Sequence, residues 1–220
     1  MVGIDASGTD ERGRLGFALG VLVVLAIAAV SLALGPERRA ALLSEGGPVE
    51  TLSALGYAAC AALMLRLRDR VGVAPFLVVL VAMALRELDL DKRPFTEGLL
   101  KSRQYIGDTV GPVERGLSLA ILGVILAAVA TVVARHGSAF LSGLGRGGGA
   151  ALCVAAALVL AVVSKSADGL ARKLEPWGVA ISEVQGAAAA SLEESLELGI
   201  PLMLSLAILA IPQRARSTRA

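Results

Sequence analysis

Apolar runs of about twenty residues, separated by short charged connections, recur along the whole chain, and that length is what a helix needs to cross a bilayer. The first, Leu15–Leu34, ends at Gly35-Pro36 and is too long for a signal-peptide core, so it predicts a retained helix. A second covers 50–65, and a third 71–90, with Pro75 in its first turns where proline is tolerated. Residues 116–134 and 147–164 predict the fourth and fifth helices, joined by a glycine-rich loop after Arg135-His136. The sixth covers 187–211 and stops at Pro212. The fold this predicts is all-α, a six-span transmembrane helical bundle over 15–211. A polar N-terminal tail, 1–14, and a basic C-terminal tail, 212–220, with Arg214, Arg216 and Arg219, flank it. No fixed-period repeat or low-complexity linker divides the bundle into domains.

Two connections carry patterns of their own. Between 91 and 112, Phe95, Leu99, Leu100, Tyr105 and Ile106 interleave with Glu97, Lys101, Arg103 and Asp108, which predicts an amphipathic helix lying along the interface. Beyond residue 164 the fifth helix is expected to continue as a polar helix through Lys165, Asp168 and Arg172 until Pro176 stops it. Trp177 then suits an interfacial anchor.

Composition narrows the partners. The chain has 220 residues, 55% of them hydrophobic, with a mean hydropathy of +0.73, and this points to the lipid bilayer as its solvent. A net charge of +2 and an aromatic content of 3% leave no electrostatic or stacking basis for binding nucleic acid. Cys60 and Cys153 fall mid-run and read as small buried hydrophobes. The single histidine, His136, excludes two-histidine zinc motifs and suits a helix end, so any metal here would be held by oxygen. Ala54, Gly56, Ala58 and Ala59 read as a close-packing face of the second helix.

Six spans place both termini on one side, together with the turns at 66–70 and 135–149. That side holds ten Lys/Arg against four Asp/Glu, and the other holds eleven against fifteen. The counts of bases are even, but Arg66, Arg68 and Arg70 crowd one tight turn of the kind retained inside the cell. Both termini are therefore expected in the cytoplasm of a cell inner-membrane protein, with the acid-rich connections near the outer leaflet.

The candidate chemistry sits on those acid-rich ends. The apolar stretch after Glu197 is too short to cross alone, so Glu193, Glu194 and Glu197 lie within the sixth span, where an ionised carboxylate costs about 3 kcal/mol at mid-bilayer. Glu194 and Glu197 are three apart, and Glu193 and Glu197 four apart, so all three can approach one point. On the third helix Arg86 and Asp89 share a face, as do Glu87 and Asp91; on the fifth, Lys165, Asp168 and Arg172 make one stripe. Pro201 cannot donate to the carbonyl of residue 197, and Gly199 loosens the same turn, so the expected site is an acid-rich pocket with under-bonded backbone.

Three functions fit such a cluster. A membrane-embedded enzyme would hold Mg²⁺ or another hard divalent cation on Asp89, Glu194 and Glu197, with Lys165, Arg172 or Arg86 clamping a lipid or other phosphate-bearing substrate. A carrier would use the carboxylates as proton or ion sites, moving a small ion past a proline-interrupted helix. A structural protein would keep the cluster only as an ion-pair network.

Asp168-Gly169-Leu170-Ala171-Arg172 looks like the core motif of the CDP-alcohol phosphatidyltransferases. It lacks that family's preceding aspartate, where Lys165 stands, its spacing between glycine and alanine, and its two later aspartates. The Glu193-Glu194 pair is similar to that of the intramembrane CAAX-type proteases, but no later histidine accompanies it. The order Arg86-Glu87-Leu88-Asp89, Lys165 to Asp168, then Glu193-Glu194-Ser195-Leu196-Glu197-Leu198 resembles an uncharacterised family of bacterial polytopic inner-membrane proteins. The resemblance spans roughly residues 70–210 and implies the membrane fold without an activity.

Overall fold

A computed structural model describes residues 6–42, 47–67 and 72–211. The extreme N-terminus (1–5), the basic turn at Arg68 and Arg70 with Val71, and the C-terminal tail containing Arg214, Arg216 and Arg219 lie outside the described residues. Among those described there is no strand. The elements are α1 (Ala6–Ala33), α2 (Pro36–Leu42), α3 (Pro48–Leu65), α4 (Ala74–Glu87), α5 (Pro112–Gly145), α6 (Gly149–Ala167), α7 (Leu170–Leu174) and α8 (Glu183–Leu209). Asp10–Ala33, α3, α5 and α6 are long and apolar enough to cross a membrane.

Each of the six predicted runs falls on a helix, and the ends show what the local sequence does. α1 begins well before Leu15 because its polar first turns are tied down. Asp10 and Arg14 pair at 2.9 Å, Asp10 accepts from the Gly149 amide at 3.1 Å, and Arg14 donates to the Gly147 carbonyl at 2.8 Å. Asp10 thus caps α6, whose own N-cap residue, Gly148, has no side chain to do so. At the other end of α1, Arg39 donates to the carbonyls of Leu32 and Leu34, which lack helical partners. α8 opens with a capping box in which Ser182 accepts from the Gln185 amide and Gln185 accepts from the Ser182 amide.

Four expectations are corrected. α4 stops at Glu87, short of the expected residue 90, because Asp89 takes the left-handed conformation (φ +53°) and the amides of Asp89 and Leu90 close back onto Arg86 and Leu85, a C-terminal lock usually built on glycine. α5 runs on to Gly145, so Arg135, His136 and Gly137 are helical, and the glycine-rich turn shrinks to 146–148. His136 is no terminal cap; its ring packs against Phe76 in a tilted arrangement, with centroids 5.1 Å apart. The polar extension of α6 breaks at Asp168-Gly169, where Gly169 sits at φ +59° and starts the separate α7, so Arg172 leaves the Lys165 stripe. Finally, 91–111 is no amphipathic helix but a chain of turns with one 3₁₀ turn, Ser102–Gln104. Its polar groups converge on Glu114 in the first turn of α5: Thr96 donates amide and hydroxyl at 2.6 and 2.9 Å, and the fully buried Gln104 donates at 2.9 Å.

α8 packs against α1, α3 and α6, with α4 beside α3 and α5 on the outside against α4 and α6. Val24, Tyr57, Cys60, Leu80, Ala157, Leu196, Ile200 and Met203 form the core around it. Many apolar side chains of α1 and α5, such as Leu22 and Val133, are exposed, whereas Ser53, Ser118, Ser164, Ser191 and Ser195 are fully buried. Apolar outside and polar inside is the arrangement expected where the solvent is hydrocarbon.

Candidate functional site

Glu197 is the junction of the site. Its Oε1 accepts from the Arg86 guanidinium of α4 at 2.6 Å and from the Ser164 hydroxyl of α6 at 3.1 Å, joining three helices at one oxygen. The same guanidinium lies 3.9 Å from Glu87, whose side chain is almost wholly buried and whose Oε1 has no hydrogen-bond partner among the described residues.

α3 closes the site from the fourth side. The Tyr57 hydroxyl stands within electrostatic reach of Glu87, Arg86 and Glu197 and, like the Ser53 hydroxyl one turn earlier, is buried with no hydrogen-bond partner among the described residues. Glu50 adds a further carboxylate on that helix, within reach of Glu87 and Glu194. Just beyond, the Cys60 thiol reaches the Pro201 carbonyl at 3.3 Å and the Ser205 hydroxyl at 3.1 Å. Gly56 lets α3 approach Pro201 so closely that a Cβ there would sit 2.8 Å from the proline ring.

The two remaining glutamates of α8 differ in their electrostatic surroundings: Glu193 lies within reach of Asp168, Glu197 and Lys165, and Glu194 within reach of Glu197, Glu50, Glu193 and Glu87. Neither is in an ion pair among the described residues. Among the described residues, the cluster thus sets Glu87, Glu193, Glu194 and Glu197 against the Arg86 guanidinium bonded within it and the Lys165 ammonium within electrostatic reach at its rim.

Of the residues expected from sequence, Arg86, Glu87, Glu193, Glu194 and Glu197 come together. Asp89 does not: the left-handed turn carries it to Lys92, at 2.5 Å. Lys165 and Asp168 pair with each other at 2.5 Å on the rim, and that ammonium's hydrogen bond holds the Asp168 carboxyl below the usual aspartate range. Arg172 is exposed on α7. Asp89, Glu194 and Glu197 therefore do not form the expected divalent-cation triad, and among the described residues no three His, Cys, Asp or Glu side chains converge to hold a metal ion.

Tyr57, Ser53, Glu50 and Ser164 are the residues that sequence reading missed. Glu50, Ser53, Tyr57 and Cys60 stand at spacings of three and four, so a polar stripe down the second helix is legible in the sequence beside its small residues.

Compared with known protein families, characterised proteins and solved structures, the chain matches none.

Proposed function

We propose that the protein is a six-span carrier of the cell inner membrane that exchanges protons for a cationic substrate at the acid cluster around Glu197. The observation that carries this is the surplus of carboxylates over bases in the cluster, with Glu87 and Glu197 buried and Glu193 and Glu194 half-buried, together with three buried polar atoms, Glu87 Oε1, Tyr57 Oη and Ser53 Oγ, that have no hydrogen-bond partner among the described residues. A bound cation or proton relieves both, since surplus negative charge and unmet hydrogen-bonding capacity are each costly in a low dielectric. Intramembrane carboxylates facing a bundle interior are the usual groups for such exchange.

The phosphate-lipid enzyme is the weaker reading. A phosphate clamp needs free bases, and Arg86 is bonded to Glu197, Lys165 to Asp168, while Arg172 lies on the exposed α7.

In this reading α4 and α8 complete the six spans. The 14 residues of α4 rise only about 21 Å, which local thinning accommodates, and α8 reaches the bilayer with its glutamates shielded by α3, α4 and α6. Both termini lie in the cytoplasm, and a periplasm-only reporter fused after Arg219 should stay silent; strong activity would invert the orientation.

The exchange itself is tested in proteoliposomes holding a pH-sensitive dye and an acid interior, to which Na⁺, K⁺ or octyltrimethylammonium is added outside. At least one of the three should collapse the gradient faster than in protein-free vesicles, and Glu87→Gln and Glu194→Gln should each abolish the difference. Equal rates with and without protein for all three cations would sink the proposal.

A further inference from the structure

Arg86 and Glu87 are the last two residues of α4, and the guanidinium there stands between two carboxylates. Its Nη2 donates to Glu197 Oε1 at 2.6 Å, while its Nη1 stops 3.9 Å from Glu87 Oε1, about 1 Å outside a charge-assisted hydrogen bond. The surroundings of the two acids differ. Glu197 Oε1 also accepts from the Ser164 hydroxyl, whereas Glu87 Oε1 is buried with no hydrogen-bond partner among the described residues. A carboxylate buried without bonded donors is costly unless it carries a proton or takes a cation. Glu87 is thus a second seat for the same guanidinium, within a small side-chain movement.

Any cation that binds at Glu197 has to meet Arg86 first. Two unit charges of like sign repel strongly at one carboxylate oxygen in a low dielectric, so an arriving cation expels the guanidinium. Several charged or titratable groups surround it: Glu50 and Tyr57 of α3, Glu193 and Glu194 of α8, and Lys165 of α6, which is paired with Asp168. Glu87 is the carboxylate already placed against Nη1.

Resting on the carrier reading above, we infer that Arg86 is a tethered stand-in for the transported cation: it occupies Glu197 when the site is empty and crosses to Glu87 when substrate takes Glu197. In the empty state Glu197 is ionised and paired with Arg86, and Glu87 holds the exchanged proton. Substrate binding is coupled to breaking the Glu87 O–H bond: the proton leaves to water, and the guanidinium takes its place on the carboxylate. One monovalent cation enters for each proton lost, so the cluster keeps the same net charge in both states. Arg86 is a positioning residue that acts through the two carboxylates.

Thermal unfolding of the full chain in nanodiscs tests the second seat without a transport assay. Glu87→Gln mimics the protonated acid and Glu197→Gln sends the arginine to Glu87, so each should lower the midpoint by no more than about 4 °C. With both carboxylates removed the guanidinium is orphaned, and Glu87→Gln/Glu197→Gln should fall by about 10 °C or more. Should that double variant fail to fold, adding Arg86→Met removes the orphaned charge, and the triple variant should fold and melt near the parent. A Glu197→Gln midpoint as low as the double's, a double no lower than the singles, or a triple that stays low would each overturn the second seat. If Na⁺ or K⁺ collapses the proton gradient while Glu197→Gln melts as low as the double, the carrier reading stands and this inference falls. If the loss in the double variant appears but no cation collapses the gradient, the carrier reading falls and takes the transport role of Arg86 with it.

Discussion

α5 and α8 are the two helices whose fates differ most from their composition. α5 is the longest, at 34 residues, and contains an apolar run free of charge from Gly116 to Ala134, yet Ser118 and Ala128 are its only buried residues among those described. α8, with 27 residues, carries Glu193, Glu194 and Glu197 and an internal proline, yet it sits in the middle, with nine buried residues that include Ser191, Ser195 and Glu197. In water the more hydrophobic helix would be buried. Here hydrocarbon already satisfies α5, and the helix that most needs protein neighbours is the one with charges to hide. Burial in this chain follows polarity.

Removing what α8 hides behind is the strongest way to break that contrast. Arg86→Met leaves Glu197 buried with only the Ser164 hydroxyl for company, and should cost about 3–5 kcal/mol, the usual penalty for orphaning one half of a buried pair. Thermal unfolding in nanodiscs should show the loss, and Arg86→Met combined with Glu197→Gln should recover most of it. If the single variant unfolds like the parent, the charge on Glu197 is not held by the bundle at all.

A matched pair of glycines sharpens the same comparison at lower cost. A Cβ on Gly199 of α8 would come within 2.9 Å of Val24 and 3.0 Å of Leu160, whereas one on Gly123 of α5 would meet nothing within 4 Å. Gly199→Ala should destabilise by about 1–3 kcal/mol as the neighbours are pushed back. Gly123→Ala should be neutral or stabilising by up to about 1 kcal/mol from helix propensity alone. Melting curves that move the two variants the same way would mean α5 is covered after all.

The smallest effect belongs to the rim. The hydrogen bond and charge of Lys165 depress the Asp168 carboxyl, so the pair favours the folded state above the unfolded aspartate value of about 3.9, and that favour is lost as pH falls through the lower folded value. Both side chains are partly exposed, so Asp168→Asn should cost no more than about 1 kcal/mol at neutral pH. The difference from the parent should vanish in acid, and a difference that grows in acid would contradict the pairing.

The helix-forming runs were legible because each is long enough to be decided by its own composition. Convergence of Glu87, Arg86 and Glu197 was legible too, since charges within apolar runs have to find one another. What failed to show were the breaks of a single residue. Asp89 adopts a conformation that glycine usually supplies, and Gly169 splits a stripe whose spacing looked continuous, so Asp89 and Arg172 were placed on faces they do not occupy. The segment 91–111 misled for a related reason: its alternation of apolar and polar residues suits a helix, but Glu114, distant in sequence, draws Thr96 and Gln104 into a different path.

The sequence by itself determined that this chain is helical, that hydrocarbon is its solvent, and that its last long helix carries acids needing company, because hydropathy and charge act within a few turns. Only the tertiary structure decided that the company is one arginine and one serine, and that the buried hydroxyls of Tyr57 and Ser53 on α3 have no hydrogen-bond partner among the described residues. Each of those depends on which faces of four separate helices meet, and that is set by close contacts such as Gly56 on Pro201 rather than by any pattern along one of them.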